Sequence, residues 1–268
     1  MDFPKKSKLV TIVLTGLILL TLTTTFFVID GTFGPSRYSS ARDGYPTDLL
    51  IVGLDARSKN DAGLPDSLTL YNLELSTFTA IPRSWEISRF GNREKLVRKY
   101  LGVWNCEPFC NIQGIYAYGN PDDGSQLEKD GRLEALRFVV EREYQIKSLG
   151  VVAFDLEWAE SFLNNLGNIK INVEEPIPIG GRPLNGQLVE VTGYIPSGMQ
   201  NLIPNESYWF ARARFGSSNE DRMKRQLRLI RSILNQKTKA DLLMAWRDAQ
   251  GYSRTDLNGF ESLSLIVR

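Results

Sequence analysis

Leu9 to Ile29 is an uncharged run of about 21 residues, close to the ~20 that a helix needs to span a bilayer core. No other feature constrains the chain as much, because such a segment is stable in lipid while the charged remainder is not. Lys5, Lys6 and Lys8 precede the run, and no comparable basic cluster follows it before Arg37. The positive-inside rule therefore places the N-terminus in the cytoplasm and the rest of the chain outside. A cleaved leader is the competing reading, but its apolar core usually holds ~7–15 residues and ends at a small-x-small site, which does not follow Ile29. The expected organisation is a cytoplasmic stretch 1–8, a transmembrane helix 9–29, an extracytoplasmic tether 30–47 and one domain over 48–268.

That outer part must work without histidine, which the chain lacks entirely. Ser-His-Asp triads, Cys-His pairs and imidazole-ligated zinc are excluded at once. The remaining chemistry runs on carboxylates, hydroxyls, Lys, Arg and bound metal. With 32 Lys+Arg against 31 Asp+Glu the formal charge is +1, so no global field draws the protein to nucleic acid. Cys106 and Cys110 are too few for a zinc cage and are flanked by turn residues, so outside the cell they read as a small disulfide-closed loop.

From Asp48 the pattern alternates between strands and helices. Leu49 to Val52 is a short apolar run ending in Gly53, as in a buried strand that opens into a loop. Ser67–Leu75 and Phe78–Ile81 read as strands joined by a tight turn, with Pro82 ending the second. Apolar residues at helical spacing predict a helix over Gln126–Tyr144, and Val151–Phe154 predicts a strand. Trp158 to Leu166 reads as a helix with Gly167 as its C-cap, and Trp158 and Phe162 read as core; Ile169–Val173 returns as a strand. Glu220–Gln236 shows a Met223, Leu227, Ile230, Leu234 stripe with Asn219 as the N-cap. Ala240–Asp248 is a further amphipathic stretch, and Leu263–Val267 a candidate edge strand. The fold class that follows is α/β, a layered α-β-α domain with a central mixed sheet, behind one N-terminal transmembrane helix.

Two groups of residues carry chemistry. Asp55 and Asp66 sit where loops leave strands, the place where layered α/β folds bind ligands. As hard oxygen donors they suit Mg2+, which takes one or two carboxylates and completes its shell with water and phosphate. The second group is arginine-rich. Trp209 to Phe215 alternates like a strand, which would put Arg212 and Arg214 on one face, and Arg222 and Gln226 share a face one turn apart near a helix start that favours anions. Arg225, Arg228 and Arg231 on the same helix read as a solvated basic face. Arg83, directly after a strand, is a further candidate, and Arg89 a weaker one.

In order, Leu49-Leu-Ile-Val-Gly-Leu-Asp55, Asp66-Ser67, Ile81-Pro-Arg83, Ile115-Tyr-Ala-Tyr-Gly119, Val151-Val-Ala-Phe-Asp-Leu-Glu157, Leu166-Gly167, Trp209 to Arg214, Asp221-Arg222 and Arg225-Gln226 resemble the motifs of the LytR-CpsA-Psr family of cell-envelope enzymes. The match runs from about Asp48 to Gln236. The resemblance implies a polyprenyl pyrophosphate-linked glycopolymer as substrate, its tail in an apolar tunnel, and peptidoglycan as acceptor through a new phosphodiester. It implies catalytic roles for Arg83, Arg212 and Arg214, pyrophosphate binding by these three with Arg222 and Gln226, and Mg2+ on Asp55 and Asp66. A pyrophosphatase and a non-catalytic polyprenyl-phosphate-binding protein would use the same cluster. Where the family commonly has Asp after Ile-Pro-Arg, this chain has Ser84, and Asn219 stands where an Asp is common.

Overall fold

A computed structural model describes residues 45–56, 63–85, 111–118, 128–180, 183–184, 187–188, 190–213 and 217–257. Residues 9–29, Arg89, the cysteines Cys106 and Cys110, and the candidate strand 263–267 lie outside them. Among the described residues no helix is long and apolar enough to cross a membrane.

Strands β1 (Asp48–Leu54), β2 (Pro65–Asn72), β3 (Thr77–Ala80), β4 (Leu149–Phe154) and β11 (Ser253–Thr255) form a mixed sheet in the order β11-β4-β1-β2-β3. β1 pairs in parallel with β4, Asp48 opposite Leu149, and every other pairing in this sheet is antiparallel. The sheet's hydrogen bonding starts one residue before β1, where the Thr47 N–H donates to the Ser148 carbonyl at 2.8 Å. Asp48 is buried at the strand start because its carboxylate accepts from Asn72 Nδ2 and Thr47 Oγ1, both at 2.8 Å.

One face of the sheet is covered by α1 (Ile112–Tyr118) and α2 (Glu128–Glu143). The period of two sends Leu50, Val52, Leu68 and Leu70 into this layer, where they meet Ile112, Ile115, Leu133, Leu136 and Val140, all fully buried. The predicted helix ends before Tyr144, which is exposed.

The other face looks toward α3 (Leu156–Leu166), α4 (Pro204–Arg212), α5 (Asn219–Gln236) and α6 (Lys239–Asp248). These helices share a second core with β5 (Ile169–Val173), β6 (Ile177–Gly180), β9 (Val191–Ile195) and β10 (Gly198–Leu202). β5 pairs with β10, β6 with β9, and the two-residue strands β7 (Pro183–Leu184) and β8 (Gln187–Leu188) pair with each other. Helix, sheet and helix thus stack in the layered mixed arrangement expected.

Three local expectations are corrected. Trp209 to Arg212 is the end of helix α4, not a strand. Pro204 opens that helix, and Glu206 accepts the Ile203 N–H at 3.0 Å, a start signal that outweighs a short alternation consistent with either period. The N-cap of α5 is Ser218, not Asn219: Ser218 Oγ accepts the Asp221 N–H at 3.1 Å, and Asp221 returns the bond to the Ser218 N–H, a capping box. Finally, the inward face of α5 is Arg222, Arg225, Leu229 and Ile233, while Leu234 of the predicted stripe is exposed. The helix is rotated so that arginine, not methionine, enters the interior in its first turns.

Candidate functional site

Gly63 brings the two aspartates to neighbouring strand ends. Its φ is +62°, and a Cβ there would lie 2.5 Å from the Ala56 backbone nitrogen, so only glycine lets the loop close this tightly. Closure is fixed by the Asp55 N–H donating to the Leu64 carbonyl at 3.0 Å and the Leu64 N–H donating to Asp55 Oδ1 at 2.9 Å. Leu54 pairs with Pro65 across a bulge, and Asp66 follows at once.

Asp66 organises the arginines. Its Oδ1 accepts from Arg83 Nη1 at 2.8 Å, its Oδ2 lies 3.6 Å from Arg222 Nη1, and its backbone carbonyl accepts from Arg222 Nη2 at 2.8 Å. Arg222 is only 3% exposed, and this carboxylate and carbonyl help to offset the burial of its charge. Strand β2, the turn after β3 and helix α5 are thereby joined at one point. Arg83 and Arg222, far apart in sequence, meet on this one carboxylate.

Gln226 makes the next connection. Its Oε1 accepts from Ser67 Oγ at 3.0 Å and its Nε2 donates to the Ala211 carbonyl at 3.3 Å, tying β2, α5 and the end of α4 together. Arg212 follows Ala211 as the last residue of α4, its guanidinium 5.2 Å from the centroid of the Tyr208 ring. Arg214 lies outside the described residues. Arg225, expected on a solvated face, is buried: Nε donates to the Phe210 carbonyl at 2.8 Å, and Nη2 donates to the Ala213 carbonyl and, at 3.2 Å, to Ser217 Oγ. Burial pulls its guanidinium below the usual arginine range. It holds both sides of the segment that carries Arg212 and Arg214. Arg228 pairs with Glu174 instead, and Arg231 is exposed.

These polar groups stand at one end of a cavity of about 270 Å3 between the sheet and α3–α6. Asp66, Ser67, Arg212, Arg222 and Gln226 form the polar end. Beyond them the lining is Ile51, Phe154, Trp158, Phe162, Leu163, Leu229, Ile230, Ile233 and Trp246, with Ala159 and Ala211. The sheet leaves space here because its residues on this side include Gly53, Ser67 and Thr69, too small to fill the gap to the helices, which Ser67 meets through its hydrogen bond to Gln226. Trp158 stacks on Phe162 at 4.9 Å and meets the edge of Trp246 at 4.8 Å, a connected aromatic wall. Asp155 fixes it by capping α3: Oδ1 accepts the Trp158 N–H at 2.8 Å and Oδ2 the Tyr252 N–H at 3.1 Å. Trp158 and Phe162 read as ordinary core in the sequence; both line the cavity. Their helical spacing is the same in either role, and the missed signal was the small-residue pattern of the facing strand.

Among the described residues no group of three or more metal-type side chains occurs. Asp55 and Asp66, on adjacent strand ends, are hard oxygen donors of the type that Mg2+ takes together with phosphate and water; in this structure Asp55 Oδ1 accepts the Leu64 N–H and Asp66 Oδ1 accepts from Arg83.

The cavity thus combines a largely apolar lining with the guanidinium-bearing Arg212 and Arg222. No protein-family model matches the chain, and no curated protein sequence does. Solved structures do match. Bacillus subtilis TagV superposes with a TM-score of 0.55 at 18% identity, over 84% of this chain and 79% of TagV. Protein gbs0355 from Streptococcus agalactiae gives 0.57 at 17% identity, over 83% of this chain and 75% of its own. TagT bound to LI-WTA gives 0.53 at 17% identity, over 87% and 79%. The chain shares the fold of these proteins, in keeping with its resemblance to the LytR-CpsA-Psr family.

Proposed function

We propose that this protein transfers a phospho-glycopolymer from a polyprenyl pyrophosphate carrier to peptidoglycan, anchored in the membrane by residues 9–29. The observation that carries the reading is the junction of an apolar cavity with Asp66, Arg212 and Arg222 at its polar end, where Asp66 also pairs with Arg83. A polyprenyl pyrophosphate has the matching two halves. The fold shared with TagT, whose solved structure is bound to LI-WTA, supports the same reading.

In the proposed reaction an acceptor hydroxyl attacks the phosphorus that carries the glycopolymer. A new P–O bond forms, the bridging P–O bond to the carrier breaks, polyprenyl phosphate leaves with the bonding electrons, and the hydroxyl proton passes to the solvent. Such a transfer depends on positioning and charge stabilisation more than on covalent help, which suits a site without histidine. Arg83 and Arg222 lie on either side of Asp66 and would grip the two phosphates, while Arg212, with Arg214, would meet the charge that grows on the leaving oxygen. Gln226 and Arg225 hold the end of α4 against β2 and α5, so the arginines are placed before substrate arrives. Mg2+ on Asp55 and Asp66 would neutralise part of the phosphate charge.

The test is mass spectrometry of the outer part of the chain, Arg37 onward, purified as the parent and as Arg212→Ala. Bound polyprenyl phosphate or pyrophosphate in the parent, lost from the variant, is expected; lipid in neither overturns the carrier assignment. Incubation with a lipid-linked glycopolymer should then give polymer on peptidoglycan. Release of polymer phosphate to water in the presence of acceptor would replace the transferase by a hydrolase.

A further inference from the structure

At the opposite end of the sheet from the arginines, three large apolar side chains are exposed together. Tyr45 is 58% exposed, Leu75 69% and Tyr144 39%. Sheet register places them at the same end: Asp48 pairs with Asn72 on one side and Leu149 on the other, so the start of β1, the β2–β3 turn and the loop after α2 converge. Leu75 and Tyr144 border one hollow of about 360 Å3 that also includes Thr47, Ile146 and Lys147. The residues next to Leu75 and Tyr144, Ser76 at φ +53° and Gln145 at φ +54°, are both in the left-handed region, as in tight turns.

What covers this end follows from the chain that enters it. The apolar run ends at Ile29, and only residues 30–44 separate it from Tyr45. Fifteen residues reach at most about 50 Å, and as a flexible chain span about 22 Å. A surface tethered within that distance meets its partner at an effective concentration on the order of millimolar, so a small patch suffices to dock it. Tyrosine, an aliphatic tip and a lysine form the combination that settles at the headgroup level of a bilayer. Glu74 and Glu143 flank the patch, so the contact is through apolar side chains more than through attraction to anionic lipid.

We infer that the sheet end carrying Tyr45, Leu75 and Tyr144 is a membrane-docking face, resting on the outer headgroup region of the bilayer that residues 9–29 span. The inference rests on the anchor reading and adds an orientation to it. β1 has seven residues and, at about 3.3 Å each, separates the two ends by about 23 Å. The arginine end of the cavity then points away from the membrane, toward the wall.

The experiment uses the full-length chain in vesicles of phosphatidylethanolamine and phosphatidylglycerol, with photoreactive p-benzoylphenylalanine placed singly at position 75, 144, 199 or 64. Met199 is 72% exposed, as open as Leu75 but on β10, and Leu64 is 40% exposed at the arginine end. Phospholipid adducts, identified by intact mass, are expected several-fold more often at 75 and 144 than at 199 and 64. Equal labelling at all four positions, or protein–protein adducts in place of lipid at 75, would overturn the docking face. Alkaline extraction of the same vesicles separates the two readings. A chain that stays in the membrane without labelling at 75 and 144 loses the docking face alone, and a chain that washes off loses the anchor and the docking face together.

Discussion

Along β1 and β2, Leu50, Val52, Leu68 and Leu70 point to one side of the sheet, and Ile51, Gly53, Ser67 and Thr69 to the other. The first side is filled by α1 and α2 without remainder, its side chains at zero or near-zero exposure. The second faces four helices across a cavity whose lining is just as apolar over most of its length. The difference lies in side-chain volume. Leu and Val at every second position close one interface, whereas Gly53, Ser67 and Thr69 on the other side leave a gap before the helices that the Ser67–Gln226 hydrogen bond crosses. The packed face is built for stability; the open face holds a volume that a ligand can complete.

The largest expected effect breaks the packed face. Leu136→Ala, at a fully buried position, should cost about 2–5 kcal/mol. Chemical denaturation should show this as a lower midpoint at unchanged slope, while lipid bound per folded molecule stays at the parent level. Arg222→Met at the polar end of the open face comes next. It leaves the partly exposed Asp66 with one guanidinium fewer, and about 2 kcal/mol is expected, below the full cost of breaking a buried pair. Here lipid should be lost as well, read by mass spectrometry.

Smaller changes sharpen the contrast. Ser67→Ala removes the hydroxyl that donates to Gln226 and should cost about 1 kcal/mol, with a greater effect on turnover than on lipid affinity. Ala159→Phe projects a ring into the cavity and should shift stability by less than about 1.5 kcal/mol. Lipid binding should nevertheless disappear, the reverse of Leu136→Ala; retained lipid would show that the cavity is not where the tail lies.

The smallest effect concerns the helix start. Hydrogen bonds from Ser218 hold the Asp221 carboxyl below its ordinary range. A carboxylate depressed in the folded state contributes stability that is complete above its unfolded value and is lost as pH falls through the folded one. Ser218→Ala should therefore slightly lower stability near neutrality and flatten the acid limb of a stability–pH profile followed by chemical denaturation.

Much of this was legible in the chain itself. Strand β1, the helices α2, α3 and α5, and the Gly167 cap follow from short-range periodicity and from the few residue types that tolerate each position. Strand β11 was not legible: three residues gain their pairing only from β4, distant in sequence. The helical character of Trp209–Arg212 was also hidden, because four residues fit either period and the deciding signal lies upstream at Pro204.

By itself the sequence determined which residue types were on hand: no histidine, two aspartates at strand ends, arginines near a helix start, and alternating large and small side chains on β2. Local sterics and capping are encoded within a few residues, so such features survive in a one-dimensional reading. The tertiary structure alone decided that Asp66 faces both Arg83 and Arg222, that Arg225 is buried bracing while Arg228 pairs at the surface, and that Trp158 lines a cavity. Those outcomes depend on the rotation of α5 and on what the opposite strand leaves unfilled, and both are set by the packing of elements far apart in the chain.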